Sequence, residues 1–250
     1  MSKLTEAFQN RKAFIPFLTC GDPNLETTAA NIRALAAAGA AVIELGIPFS
    51  DPTAEGPLIQ GANIRALQGG VTTDKIFEFV RKVRTDVKIP FVFMTYANVV
   101  FSYGTERFIK NCAEFGIDGI LLFDIPYEEK EEFASVCKQN GVAFISTIAP
   151  TSKQRIAPIA SDAEGYLYVI TEAGGEQVSA SELIAEIRKS TSIPCVVANG
   201  ILKPEHAKNH APYVDGISVD TAITEIVVEY GKESPLYVSE FGAKMVAALK

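Results

Sequence analysis

The residue whose type and setting most plainly suggest chemistry is Glu44. It lies in Val42-Ile43-Glu44-Leu45-Gly46, an apolar, β-branched run too short for a helix, which predicts a buried strand. Gly46 and Pro48 end that strand, and the following loop carries Asp51 and Glu55 among prolines. A carboxylate at the exit of a buried strand, with a second carboxylate on the next loop, suits acid/base catalysis. The same residues also fit a plainer role, a buried acid satisfied by backbone donors, because an unpartnered buried carboxylate is costly.

Other chemistries find less support. His206 and His210 are the only histidines. Their i, i+4 spacing would place both on one helix face, but no acid accompanies them in a zinc-enzyme pattern, so no metal site is expected. Cys20, Cys112, Cys137 and Cys195 lie far apart without a CxxC pair and read as reduced, mostly buried thiols of a cytoplasmic protein. The formal charge of −7 argues against nucleic acid or an anionic membrane as partner. The polar N-terminus is unlike a signal peptide, and no apolar run reaches the roughly 18 residues of a membrane span.

These residues need a frame to hold them. Strand-like runs are predicted over 14–19, 42–46, 91–95, 119–123, 143–148, 165–170, 195–197 and 216–219. Helical segments lie between them, over 24–38, 58–67, 72–85, 105–115, 128–140, 153–159, 181–189 and 204–209, and two more follow at the C-terminus. Helix ends are punctuated by Gly39 and Gly116, and Asp22-Pro23 closes the first strand. Regular alternation of strand and helix favours a parallel sheet. Eight such units in 250 residues fit a single α/β domain over 1–250, a (β/α)8 TIM barrel with extra helices. A doubly wound open sheet is the competing arrangement, but no GxGxxG follows the first strand. In a barrel the chemistry gathers at the C-terminal strand ends. That rule selects Glu44, Glu55, Tyr96, Asn98, Asp124, Thr171, Glu172, Asn199, Ser218 and Asp220. Asp124 has a competing structural role, since Asp before a tight Pro turn bonds loop backbone.

Several stretches carry a family resemblance. Ile43-Glu44-Leu45-Gly46-Ile47-Pro48-Phe49-Ser50-Asp51-Pro52, Gly56-Pro57-Leu58-Ile59-Gln60, Met94-Thr95-Tyr96-Ala97-Asn98 and Asp124-Ile125-Pro126 resemble the tryptophan synthase α subunit family, as does the first strand with Cys20-Gly21-Asp22-Pro23. The resemblance implies a metal-independent carbon–carbon lyase that splits indole-3-glycerol phosphate into indole and glyceraldehyde 3-phosphate. It also implies a β subunit as partner, with pyridoxal phosphate in that subunit and no cofactor in this chain. By the same resemblance Glu44 is the general acid/base. Glu55 stands where most members have Asp and holds the indole N–H. Phe17 and Tyr168 match indole-pocket residues, and Tyr96 and Asn98 match the strand-three loop near the subunit interface.

The match weakens where the family holds phosphate. The sixth loop reads Thr171-Glu172-Ala173-Gly174-Gly175-Glu176-Gln177-Val178, with two acids. Ala198-Asn199-Gly200 stands where the family has Gly-Phe-Gly, and Val219-Asp220 where it has a Gly-Ser pair opening a phosphate-binding helix. Helix N-termini bind anions through free N–H groups, and Asp is a strong N-cap that takes those groups itself. Weak or absent phosphate binding is therefore expected, with Asp220 capping the last barrel helix. Gly174, Gly175 and Gly200 remain as residues that would let backbone approach a phosphate. Three readings follow: the lyase, the same barrel retargeted to a phosphate-free ligand, and a catalytically weak partner of a β subunit.

Overall fold

The computed structural model describes residues 3–250. The parallel strands of the main sheet are β1 (Ala13–Thr19), β2 (Ile43–Gly46), β3 (Phe91–Thr95), β4 (Gly119–Leu122), β5 (Ala143–Phe144), β6 (Ser146–Ile148), β7 (Leu167–Ile170), β10 (Cys195–Ala198) and β11 (Gly216–Val219). A small antiparallel hairpin, β8 (Glu172–Ala173) with β9 (Glu176–Gln177), sits apart from it. The helices are α1 (Lys3–Glu6), α2 (Leu25–Ala37), α3 (Pro57–Gln68), α4 (Thr73–Val83), α5 (Ala97–Tyr103), α6 (Thr105–Phe115), α7 (Glu131–Gln139), α8 (Ile156–Ser161), α9 (Ala180–Ile187), α10 (Pro204–His210), α11 (Thr221–Tyr230) and α12 (Ser234–Ala248).

The sheet runs β5-β4-β3-β2-β1-β11-β10-β7-β6. Its two end pieces follow one another in the chain across Ile145, whose N–H donates to Ile120 O at 2.8 Å, so the sheet closes. The nine pieces are thus eight staves, and the fold is the (β/α)8 barrel that the alternation predicts. The open-sheet alternative is excluded by the β1–β11 pairing, which joins first strand to last.

Side-chain alternation along the strands splits the core in two. Residues facing outward, such as Phe14, Leu18, Ile43, Leu45 and Phe93, pack against the helices. Those facing inward, including Ile15, Phe17, Val92, Met94, Leu121, Tyr166 and Tyr168, fill the barrel. A two-residue strand period produces this division directly. The bottom of the barrel is closed by α1, an element absent from the sequence-based prediction because it is only one turn long. Leu4 enters the barrel there, and a Cβ on Gly119 would stand 3.1 Å from its Cδ1. Helix α5 was also missed; Gly104, with φ of 92°, separates it from α6. No helix of the described residues is long and apolar enough to cross a membrane.

Candidate active site

Glu44 faces the barrel axis and is wholly buried. In register it pairs with Phe17 of β1 and Val92 of β3, one inward layer below Met94. Two hydroxyls reach it from across the barrel. Tyr166 Oη donates to Oε1 at 2.6 Å, and Ser218 Oγ donates to Oε2 at 2.5 Å. The donors are side chains rather than the backbone groups of the plainer reading. Burial pushes the Glu44 carboxyl up to about 7. The bonds from Ser218 and Tyr166 offset part of that rise, and the nearby negative charge of Asp220 adds to it. The Tyr166 hydroxyl is itself held well above its usual value by burial and by Glu44, so it stays a donor.

Above this layer lies a cavity of about 290 Å³, lined among others by Phe17, Glu55, Met94, Tyr168, Asn199, Gly200 and Asp220. Glu44 is beneath the cavity rather than on its wall. The Phe17 ring crosses β2 at Gly46, where a Cβ would come within 2.5 Å of the ring, so only glycine leaves that ring its place. Glu55 is half-buried on the wall, and Asn63 Nδ2 of α3 donates to its Oε2 at 2.6 Å. Burial raises the Glu55 carboxyl, Asn63 lowers it, and the charge of Asp220 raises it again.

The loop bearing Glu55 is tied down from several sides. The Ala54 N–H donates to Tyr96 Oη at 3.1 Å, and Gln60 Nε2 donates to Glu55 O at 2.8 Å. At the far end of α3, Arg65 makes a two-pronged pair with the buried Asp22, both contacts at 2.8 Å. A loop positioned this way holds a side chain without costing fresh ordering at each encounter.

The structure brings together Phe17, Glu55, Tyr168, Asn199, Gly200 and Asp220, all on the cavity. Other expected site residues lie elsewhere. Tyr96 is buried under the Glu55 loop and supports it. Ser218 holds Glu44 and does not line the cavity. Gly174 and Gly175 form the tip of the β8–β9 hairpin, outside the cavity, where a Cβ on Gly174 would meet Thr151. Glu172 and Glu176 on that hairpin are exposed, and Glu176 pairs with Lys153. Neither acid therefore crowds the cavity as the loop sequence suggested. Asp124 has a structural role, though not within its own Pro turn: its Oδ1 accepts the Ala97 N–H at 2.8 Å at the start of α5, 27 residues away. The helix after the last barrel strand starts where Val219-Asp220 placed it. Val219 is the last residue of β11, and α11 begins at Thr221 directly after Asp220. Asp220 does cap that helix, its Oδ1 accepting the Thr221 N–H at 2.5 Å. Among the described residues no cluster of three or more His, Cys, Asp or Glu is arranged to hold a metal ion.

Tyr166 was not singled out in the sequence. The available signal was its spacing: two residues before Tyr168 on one strand, it must face the same way. Asn63 gave no local signal.

Comparison with known proteins agrees with this geometry. The family model described as tryptophan synthase alpha chain matches residues 3–247. The tryptophan synthase alpha chain of Lacticaseibacillus casei is 40% identical over 255 residues, covering 100% of this chain and 96% of the relative. The crystal structure of the tryptophan synthase alpha chain from Legionella pneumophila superposes with a TM-score of 0.91 at 31% identity, covering 100% of this chain and 97% of that one. A chain from a structure of the Pyrococcus furiosus tryptophan synthase α2β2 complex superposes with a TM-score of 0.87 at 30% identity, covering 95% and 98% respectively. With the family model and a relative of this similarity both spanning nearly its whole length, this chain belongs to the tryptophan synthase alpha chain family.

Proposed function

We propose that this chain is a carbon–carbon lyase that releases indole by retro-aldol cleavage of an indole-3-glycerol side chain, as in indole-3-glycerol phosphate. The observation that carries the reading is Glu44: a fully buried carboxyl at about 7, held by two hydroxyl donors under an aromatic-walled cavity. Cleavage needs a proton placed on ring carbon C3 and another removed from the side-chain hydroxyl. A carboxyl balanced near neutrality does both, giving a proton in one step and taking one in the next. The indole ring fits between Phe17 and Tyr168, with its N–H toward Glu55. As C3 is protonated the ring nitrogen becomes positive, and the Glu55 carboxylate stabilises that charge in a partly dry setting. Glu44 takes part by turning from Tyr166 and Ser218 up toward the cavity. Each step moves a proton or breaks a bond within the substrate, so the residues named suffice without a cofactor in this chain.

The released indole passes to a β subunit, a partner supported by the structural likeness to the α chain of the Pyrococcus furiosus α2β2 complex. The test is indole release from indole-3-glycerol phosphate at saturating concentration, with and without a β subunit. Release that is lost in Glu44→Gln supports the reading. Equal rates in the two proteins would remove Glu44 from the chemistry.

A further inference from the structure

A second cavity lies beside the one described above. It holds about 180 Å³ at the C-terminal ends of β4, β5 and β6, and Leu122, Phe144, Ile145 and Ile159 are among its apolar walls. Its charged lining residues are Lys130 and Arg155, and each is paired with an acid outside the lining. Lys130 pairs with Asp162, and Arg155 with Glu128 at 3.2 Å. With both cations already answered, the space suits an uncharged group. An apolar cavity of roughly 150 Å³ takes up benzene, so this one has room for a single ring.

Among the described residues, Phe123 alone lines both cavities. It follows β4 directly, and strand alternation turns Leu121 and Phe123 toward the barrel axis and Leu122 toward the helices. The backbone there is held. The Phe123 N–H donates to Thr95 O at 3.1 Å, and the next residue, Asp124, accepts the Ala97 N–H. The Phe123 ring rests against the Tyr96 ring, with centroids 5.6 Å apart. A strand pairing brings the two spaces together as well. Thr147, on the wall of the second cavity, is the register partner of Tyr168, on the wall of the first. The two cavities are thus one space at the barrel mouth, divided by a single ring.

We infer that Phe123 limits the size of the aromatic ring the substrate carries, and that the compartment behind it is a closed side pocket of the substrate site. This rests on the lyase reading above and specifies the ring end of the substrate. With Phe123 in place, a bulky group on the benzo ring that points toward β4 meets the partition. The ring cannot yield easily, because its backbone is held and its side chain is packed on Tyr96. The unmodified protein therefore selects an indole free of bulk on that side. Shortening Phe123 joins the two spaces, and a neutral aryl substituent then fills the vacated volume and the compartment behind it.

The experiment compares cleavage of indole-3-glycerol phosphate with that of its isomers bearing a phenyl group on the benzo ring, using the full chain with its β subunit. In the unmodified protein kcat/KM for every phenyl isomer should lie below that of the parent by about 100-fold or more. In Phe123→Ala the ratio for at least one isomer should move toward the phenyl compound by about tenfold or more. Phe123→Leu, which keeps more of the packing, should move it the same way by less. Adding Thr147→Phe to Phe123→Ala refills the compartment from its far wall and should take the gain away. Binding supplies a readout besides turnover. The chain has no tryptophan, so the fluorescence of indole and of the phenylindoles reports their affinity directly, and the affinity ratio should follow the same order. An unmodified protein that takes a phenyl isomer as readily as the parent overturns this inference and leaves the lyase reading standing. So does a ratio unmoved in the folded Phe123 variants, or a gain that survives Thr147→Phe. No cleavage of any compound by the unmodified protein overturns the lyase reading, and the affinity ratio then decides whether Phe123 divides the space.

Discussion

Glu44 and Asp220 belong to one site, yet the fold treats them in opposite ways. Glu44 is drawn inside the barrel and satisfied by hydroxyls from two other strands. Asp220 stays at the rim, partly exposed, and satisfies the first turn of a helix. A buried carboxyl between hydroxyls exchanges protons readily near neutrality, because burial removes the solvent that would favour its charge. A carboxylate at the rim keeps its solvent and acts through its charge on whatever enters. The floor of this site thus has the setting that proton transfer needs, and the rim lays a negative charge across it.

The largest expected effect tests the floor. Glu44→Gln keeps the shape and an acceptor for Tyr166 but cannot exchange the proton, so indole release should fall by about 10²–10⁴-fold. Circular dichroism of the variant should match the unmodified protein. A loss of less than a few-fold would reduce Glu44 to a packing element and erase the contrast with Asp220.

A stability measurement follows from the same burial. The Glu44 carboxyl sits at about 7 in the fold, against about 4.3 in an unfolded chain. Between those values the folded state holds the proton and the unfolded state does not, so stability falls as pH rises through this window. The Glu44 contribution should therefore worsen by about 4 kcal/mol from below the window to above it. Denaturant midpoints of the unmodified protein and Glu44→Gln, compared at pH 4 and pH 8, should diverge in that sense. An unchanging difference would mean that the fold does not hold the proton.

Ser218→Ala removes one of the two donors. Loss of a hydrogen bond to a buried charged group costs about 2 kcal/mol, and the cost should be greater above pH 7, where Glu44 is ionised. Because the Ser218 bond lowers the Glu44 pKa, the variant should shift the Glu44-linked limb of the pH–kcat/KM profile upward. Ser218→Thr should restore it. A profile unmoved by the alanine would make Ser218 a space-filler only.

The smallest expected effect is at the rim. Tyr96→Phe removes the acceptor for the Ala54 N–H, at about 1 kcal/mol. A looser Glu55 loop should raise KM more than it lowers kcat. An equal or greater fall in kcat would show that the loop belongs to the proton-transfer floor.

The sequence by itself determined the strands, their inward faces and the carboxylate at a strand exit. Those features are local: a two-residue alternation sorts Phe17, Glu44, Met94 and Tyr168 to the axis, and glycines and prolines end the runs. The motif around Glu44 and Glu55 was legible for the same reason, being contiguous in the chain. Only the tertiary structure decided what Glu44 bonds to, because Tyr166 lies 122 residues away and Ser218 lies 174. Barrel closure brings them within reach, and no local pattern encodes that distance. The sixth loop shows the reverse error. Its acids and glycines, adjacent in sequence to a barrel strand, fold out into a hairpin and leave the cavity. Whether a residue after a strand lines a site depends on where its loop packs, and long-range contacts set that.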